Sequence, residues 1–109
     1  MPFPLNSIPR EWNLKNIEEL PPRIHGIYGI SNCHFVFLYI GKAEDVRDDL
    51  LQHFKLKNDL ALTIADNSPA FFYIATDFYD IDKEEASLIC EFVPVCNNSQ
   101  PKRGNRFQR

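Results

Sequence analysis

The stretch from residue 26 to residue 41 reads GIYGISNCHFVFLYIG, and it decides the fold. It opens with Gly26-Ile27-Tyr28 and closes with Tyr39-Ile40-Gly41, so that ten residues separate the two tyrosines. Isoleucine and tyrosine favour strands. Glycine often stands where a strand begins or breaks off, so we expect Gly26 and Gly41 to cap the outer ends. The stretch therefore predicts a β-hairpin with strands at 26–31 and 35–40.

The residues after the hairpin predict two main helices and a third strand. In order, the predicted elements are a helix at 45–55, a short element at 60–65, a turn at 66–69, a strand at 70–76 and a helix at 82–92. Asp45 or Glu44 would start the first helix, and Asp82 would cap the second, which Pro94 would end. Five prolines in residues 1–23 leave room only for a short helix at about 12–20.

Length and composition indicate one small domain. The chain has 109 residues, of which 44% are hydrophobic and 25% charged, and this is enough for a single modest core. We place the domain at residues 1–99, with its core at 20–98. From Asn97 onward the chain is polar and basic, which predicts disorder, and residues 100–109 are expected to form a basic tail.

The hydrophobic pattern of the sequence argues against a membrane protein, and its cysteine spacing argues against a structural zinc site. The sequence lacks an apolar run of about 18 residues, and its N-terminus lacks the layout of a signal peptide. Cys33, Cys90 and Cys96 form no C-x-x-C pair and have no histidine at zinc spacing. The simplest interpretation is a cytoplasmic, intracellular protein with reduced thiols and no membrane partner.

The two triplets resemble the signature of the GIY-YIG nuclease superfamily, which includes homing endonuclease catalytic domains and the incision subunit of bacterial excision repair. The resemblance covers about residues 20–98. It implies an α/β (α+β) domain of the GIY-YIG fold, with a central three-stranded antiparallel sheet flanked by helices. Further residues at the family spacing are Lys42, Ala43, His53, Glu85, Leu88, Ile89, Pro94 and Asn97.

The resemblance also implies a chemistry, the hydrolysis of DNA phosphodiester bonds with a divalent metal, Mg²⁺ or Mn²⁺. Tyr28 would act as general base on a water or orient it, and Tyr39 would form a hydrogen bond within the site. Glu85 would bind the metal, which stabilises developing charge on the phosphate as a Lewis acid. The other expected site residues are Lys42 and His53 in catalysis, with Asn97 and Gly41 in support.

Glu85 stands out even without the resemblance. On a helical wheel with Glu84 at 0°, Glu85 falls at about 100°. This lies within the apolar arc that runs from Leu88 at about 40° to Ile89 at about 140°. A charged carboxylate on a core-facing arc must be paired, hydrogen-bonded or metal-bound, so Glu85 is a candidate oxygen ligand for Mg²⁺. The alternative is a capping box, with Asp82 at the N-cap and Glu85 three residues later.

One position departs from the family pattern. The family carries an arginine ten residues after the second tyrosine, and this chain has Asp49 there. Asp49 and His53 stand four residues apart and should share a face of the predicted helix. Because a cation that neutralises phosphate charge contributes strongly to catalysis, its loss would cost about 10²–10⁴ in rate.

Two functions therefore stay open. The chain is either an active, divergent endonuclease in which another cation takes over, or a catalytically weakened module that binds nucleic acid or a protein partner. Residues 1–99 carry 8 basic and 15 acidic side chains, which is unfavourable for docking DNA phosphates. A protein partner or the structure of the DNA would have to supply specificity. The candidate replacement cations are Lys42, Lys55, Lys57 and the arginines of the tail.

Overall fold

Four antiparallel strands and five helices make up residues 8–98, the part of the chain that the computed structural model describes. Within these residues, no helix combines the length and the apolar character needed to cross a membrane. The elements are β1 (Arg10–Glu11), α1 (Leu14–Glu18), β2 (Gly26–Asn32), β3 (Phe37–Ala43), α2 (Val46–Lys55), α3 (Asp59–Asp66), β4 (Ala70–Ala75), α4 (Ile81–Phe92) and α5 (Val95–Asn98).

The sheet has the order β1-β4-β2-β3, with β2 between its two long neighbours. The three predicted strands are present and antiparallel. The structure adds β1, a two-residue strand in which Arg10 pairs with Phe72 and Glu11 with Phe71. Two residues are too few to show a period in the sequence, which is why the proline-rich segment gave no sign of this strand.

The hairpin forms, but its second strand is displaced from the predicted range. Phe35 has a φ of 64°, and the Asn32 side-chain oxygen accepts hydrogen bonds from the backbone of His34 and Val36. These contacts extend the turn, so β3 starts at Phe37 instead of residue 35. The strand then continues to Ala43, which makes the prediction that Gly41 caps its outer end wrong.

The two main helices begin at aspartates. Asp45 caps α2 as predicted, and its side chain accepts a hydrogen bond from the Asp48 backbone. The prediction of Asp82 as the cap of α4 is wrong, because Asp80 has the extended backbone of a cap and accepts from the Lys83 backbone. Two aspartates of equal cap propensity stand two residues apart here, and sequence alone does not choose between them.

The outer edge of β3 is covered at one point by the side chain of Asn97. Its Oδ1 accepts a hydrogen bond from Ile40 N at 2.8 Å, and its Nδ2 donates to Ile40 O at 3.0 Å. Asn97 lies in α5, so the expectation of disorder from this residue onward is wrong at its start. The tail expected at 100–109 lies outside the described residues.

Apolar side chains form two clusters in the core. The larger one contains Tyr28 and residues from α1, α2 and α3. The smaller one contains Ile27 and Leu88, and so joins β2 to α4. Ile27 and Tyr28 are 0% and 1% exposed. Because successive strand residues point to opposite faces, the sheet is buried on both sides at its central strand.

Replacing Asn97 with alanine should lower the free energy of unfolding by roughly 1–3 kcal/mol, because the Ile40 amide and carbonyl lose their partners. Urea denaturation monitored by circular dichroism measures this. Asn16→Ala is the matched control, since it removes only one exposed hydrogen bond, to Glu11 O, and should stay within about 0.5 kcal/mol of wild type. Equal stabilities for the two variants would contradict the role of Asn97.

Candidate active site

The hydroxyl of Tyr28 lies at the junction of β2 and α2. It donates a hydrogen bond to Asp49 Oδ2 at 2.9 Å and lies 2.8 Å from His53 Nε2. Asp49 and His53 are one helical turn apart and share a face of α2, as their spacing predicted. The sequence did not indicate that both would meet the oxygen of Tyr28.

Proton counting fixes the direction of both hydrogen bonds. An ionised carboxylate can only accept, so the Tyr28 proton points to Asp49. The hydroxyl oxygen then accepts from His53, which places the imidazole proton on Nε2. The other ring nitrogen, Nδ1, is buried and has no hydrogen-bond partner among residues 8–98. Burial lowers the pKa of His53, against the opposing effect of Asp49, so the ring is a neutral donor to Tyr28.

Tyr28 is held firmly in its protonated form. Burial raises the pKa of its hydroxyl far above the usual range, and Tyr39, Asp49 and Glu85 raise it further. The side chain is 1% exposed, and an anion formed there would lose hydration while facing a carboxylate. Tyr28 therefore carries its proton throughout the physiological pH range.

Gly41 allows the two tyrosine rings to come together above the sheet. It pairs with Tyr28 across the hairpin, and a Cβ on Gly41 would lie 2.8 Å from Tyr28 Oη and 2.9 Å from Tyr39 Cε2. The Tyr39 ring lies 6.1 Å from the Tyr28 ring and 5.4 Å from the His53 ring, centroid to centroid. Any side chain at position 41 would push these rings apart.

Glu85 lies near the start of α4 beside Lys42 of β3. Its side chain is 22% exposed, and Lys42 Nζ lies 4.0 Å from Oε1. Burial raises the pKa of Glu85, which Lys42 partly offsets. Because Asp80 is the N-cap of α4, Glu85 is the fifth residue of the helix, and the capping-box alternative is excluded.

Lys42, the cation expected at the site, is already held by carboxylates. Its ammonium group donates a hydrogen bond to Asp82 Oδ1, and this bond is the main reason that the pKa of Lys42 is raised. The sequence gave no sign of this pair, because Asp82 was expected to serve as a helix cap. The Lys42 side chain remains 41% exposed, so it can also be reached from solvent.

The predicted residues thus fall into three groups. Tyr28, Tyr39, Gly41, Asp49 and His53 are packed together around one hydroxyl. Glu85 and Lys42 form a neighbouring charged group, close enough for Glu85 to raise the Tyr28 pKa. Asn97 does not reach either group with its amide, which binds the Ile40 backbone next to Tyr39.

Two carboxylates, those of Glu85 and Asp82, meet at Lys42, where a divalent cation would have to bind. Residues 8–98 contain no group of three or more histidine, cysteine, aspartate or glutamate side chains that could hold a metal. Glu85 would supply carboxylate oxygen, and the exposed Asp82 carboxylate, which shares the Lys42 ammonium with it, is a second oxygen donor nearby. Mg²⁺ is commonly bound by one or two carboxylates with waters and phosphate oxygens. The donors therefore fit a weakly held Mg²⁺ and do not form a complete protein cage.

The neutral state of His53 predicts a pH dependence of stability. The pKa of His53 is lowered in the folded state from about 6.5 in the unfolded chain. The contribution of neutral His53 to the free energy of unfolding is therefore fully present above the unfolded-state pKa. It is lost as the pH falls through the folded-state pKa. The free energy of unfolding should decrease from about pH 7 to pH 5 more steeply in wild type than in His53→Gln. Urea titrations across this range test it, with the exposed His34→Gln as control. Equal slopes for wild type and His53→Gln would contradict the assignment.

The structure is similar to solved structures of the GIY-YIG N-terminal endonuclease domain of UvrC from Thermotoga maritima. The form bound to magnesium gives a TM-score of 0.57 at 22% identity, covering 76% of this chain and 97% of that one. Two tyrosine-to-phenylalanine mutants of that domain, each bound to the catalytic divalent cation, give TM-scores of 0.57 and 0.58 at 23% and 24% identity. Both cover 74% of this chain and 89% of the other.

No family model matches the chain, and no curated protein matches it. The structural similarity confirms the sheet and helix arrangement that the two triplets predicted. The chain has the fold of the GIY-YIG superfamily.

Proposed function

We propose that the chain is a divergent endonuclease that hydrolyses DNA phosphodiester bonds with the help of a divalent cation, Mg²⁺ or Mn²⁺. The observation that carries this proposal is the environment of the Tyr28 hydroxyl. It is buried against Asp49 and His53, with the Glu85 carboxylate near enough to raise its pKa. The T. maritima domain of the same fold is an endonuclease bound to magnesium, which supports the same use of the fold here.

Each residue of the site has a proposed role in the reaction. Glu85 would hold the cation, which supplies Lewis-acid stabilisation of charge on the phosphate. Tyr28 orients the attacking water through its oxygen, and Tyr39 packs beside it and keeps the ring in place. Lys42 exchanges the exposed Asp82 carboxylate for a phosphate oxygen when DNA binds. His53 fixes the Tyr28 oxygen from the side of α2.

DNA inside the cell is the proposed partner, and a protein partner is proposed to supply specificity. The described surface near the site is rich in carboxylates, which repel DNA phosphates and lower the affinity for DNA. Asp48 and Asp49 lie in the first turn of α2, and Asp82 and Glu84 in that of α4.

A second candidate is a catalytically weakened module of the same fold that binds nucleic acid or a protein. Two observations favour it. The resemblance places Asp49, an anion, at the family's arginine position, and Lys42 is paired with Asp82. In this case the burial of the Tyr28 hydroxyl would serve stability alone.

Wild-type protein should nick supercoiled plasmid in the presence of Mg²⁺ or Mn²⁺ and not with EDTA. Glu85→Ala should lower the rate about 100-fold or more, since a bound metal supplies several kcal/mol of transition-state stabilisation. Gel analysis of nicked and linear products measures the rate. Glu84→Ala is the matched control, because Glu84 is the exposed neighbour on the same helix, and its rate should equal that of wild type.

The two candidate functions differ in their response to a new cation at position 49. If the site is merely disabled, wild type does not cleave and Asp49→Arg creates metal-dependent nicking at least about tenfold above background. If the chain is an endonuclease as it stands, wild type cleaves and the added arginine brings no comparable gain. Cleavage by neither protein, with or without metal, would remove the nuclease proposal and leave a binding module.

A further inference from the structure

We propose that Asp49 receives the proton of the Tyr28 hydroxyl during hydrolysis, and so acts in general-base catalysis at the position where the family binds phosphate. This inference rests on the proposed endonuclease function. It gives Asp49 a catalytic role at the position where the family's arginine, absent here, would bind phosphate.

The geometry meets the requirement for proton transfer. Tyr28 Oη and Asp49 Oδ2 are 2.9 Å apart, with the hydroxyl as donor, which lies within the range expected of a catalytic proton transfer. A hydroxyl has one donor and two acceptor positions. Asp49 takes the donor and His53 fills one acceptor position at 2.8 Å. The proposed step assigns the second acceptor position to the attacking water.

Burial makes an internal proton acceptor necessary. Tyr28 is 1% exposed, so a proton leaving its oxygen cannot pass directly to bulk water. A tyrosinate would also be costly in this surrounding. Asp49 is only partly buried and can hand the proton on to solvent. Within residues 8–98, the carboxylate is the acceptor to which the hydroxyl already points.

The proposed step is balanced in protons and electrons. The water oxygen forms a bond to phosphorus while one water proton moves to Tyr28 Oη. The original Tyr28 proton moves to Asp49 Oδ2 at the same time. The bond between phosphorus and the leaving oxygen breaks, and that oxygen takes a proton from solvent. Asp49 then releases its proton to solvent, and His53 keeps its Nε2 proton throughout.

Removing the charge of Asp49 distinguishes a proton acceptor from a carboxylate that only repels the DNA phosphates. If Asp49 only repels the DNA phosphates, Asp49→Asn relieves the repulsion and should improve both binding and cleavage. If Asp49 accepts the proton, the same change should tighten DNA binding but slow the chemical step. General acid–base contributions of this kind are typically 10²–10⁴-fold, so we expect kcat to fall at least about 100-fold.

The experiment measures single-turnover cleavage and DNA affinity for wild type, Asp49→Asn, Asp49→Glu and Asp48→Asn. Asp48→Asn is the matched control, because it removes the same charge from the neighbouring exposed residue, whose side chain contacts Gln52 and not Tyr28. Asp49→Glu keeps a carboxylate and should recover part of the rate. Urea denaturation of each variant confirms that it is folded.

Wild-type kinetics in mixtures of H₂O and D₂O provide a test that needs no variant. Two protons move in the proposed step, so the dependence of the rate on deuterium fraction should be curved. A linear dependence would mean that a single proton moves and would contradict the proposed step.

The possible outcomes are distinct. A fall in kcat for Asp49→Asn with unchanged or tighter DNA binding, partial rescue by Asp49→Glu and a curved isotope dependence support the inference. A wild type that cleaves while Asp49→Asn cleaves equally well or faster overturns it and leaves the endonuclease proposal standing. A wild type that does not cleave with any metal overturns both.

Discussion

The hydrogen bonds to the Tyr28 hydroxyl are the interaction on which the rest of the site depends. They tie the central strand β2 to helix α2 through Asp49 and His53, where Tyr28 is 1% exposed. An unpaired hydroxyl buried there would be costly, so the strand and the helix are held in one relative position. The packing of Tyr39 and the requirement for glycine at residue 41 both follow from this arrangement of strand and helix.

The electrostatic character of the site differs from that of a simple phosphate-binding pocket. Lys42 is held by Asp82 and lies close to Glu85, and Asp49 adds a further carboxylate on the other side of the tyrosines. Burial and the surrounding negative charge together favour protonated Tyr28. His53 is kept neutral by burial, against the opposing effect of Asp49. The proposed chemistry passes a proton along existing hydrogen bonds, since a free tyrosinate is disfavoured.

Sequence reasoning predicted the hairpin, the helix over α2 and the shared face of Asp49 and His53, because each follows from periodicity or from strand and turn propensity. It misplaced the α4 cap, because Asp80 and Asp82 are equally suited to it. It also missed the short β1 and the role of Asn97, which binds the Ile40 backbone 57 residues away. Contacts over such distances depend on how elements pack, and no local pattern encodes them. Helical spacing showed which face Asp49 occupies, while the tertiary structure decides that this face meets Tyr28.

The protonation state of His53 tests the central claim most directly, because it reports the direction of the hydrogen bonds around Tyr28. Long-range ¹H–¹⁵N correlation spectra of the imidazole at neutral pH, assigned with His53→Gln, distinguish the possible forms. We predict a neutral ring with its proton on Nε2 and an unprotonated Nδ1, unchanged when Asp48 is replaced by asparagine and altered when Asp49 is. An imidazolium, or a proton on Nδ1 with Nε2 accepting from Tyr28, would contradict the account.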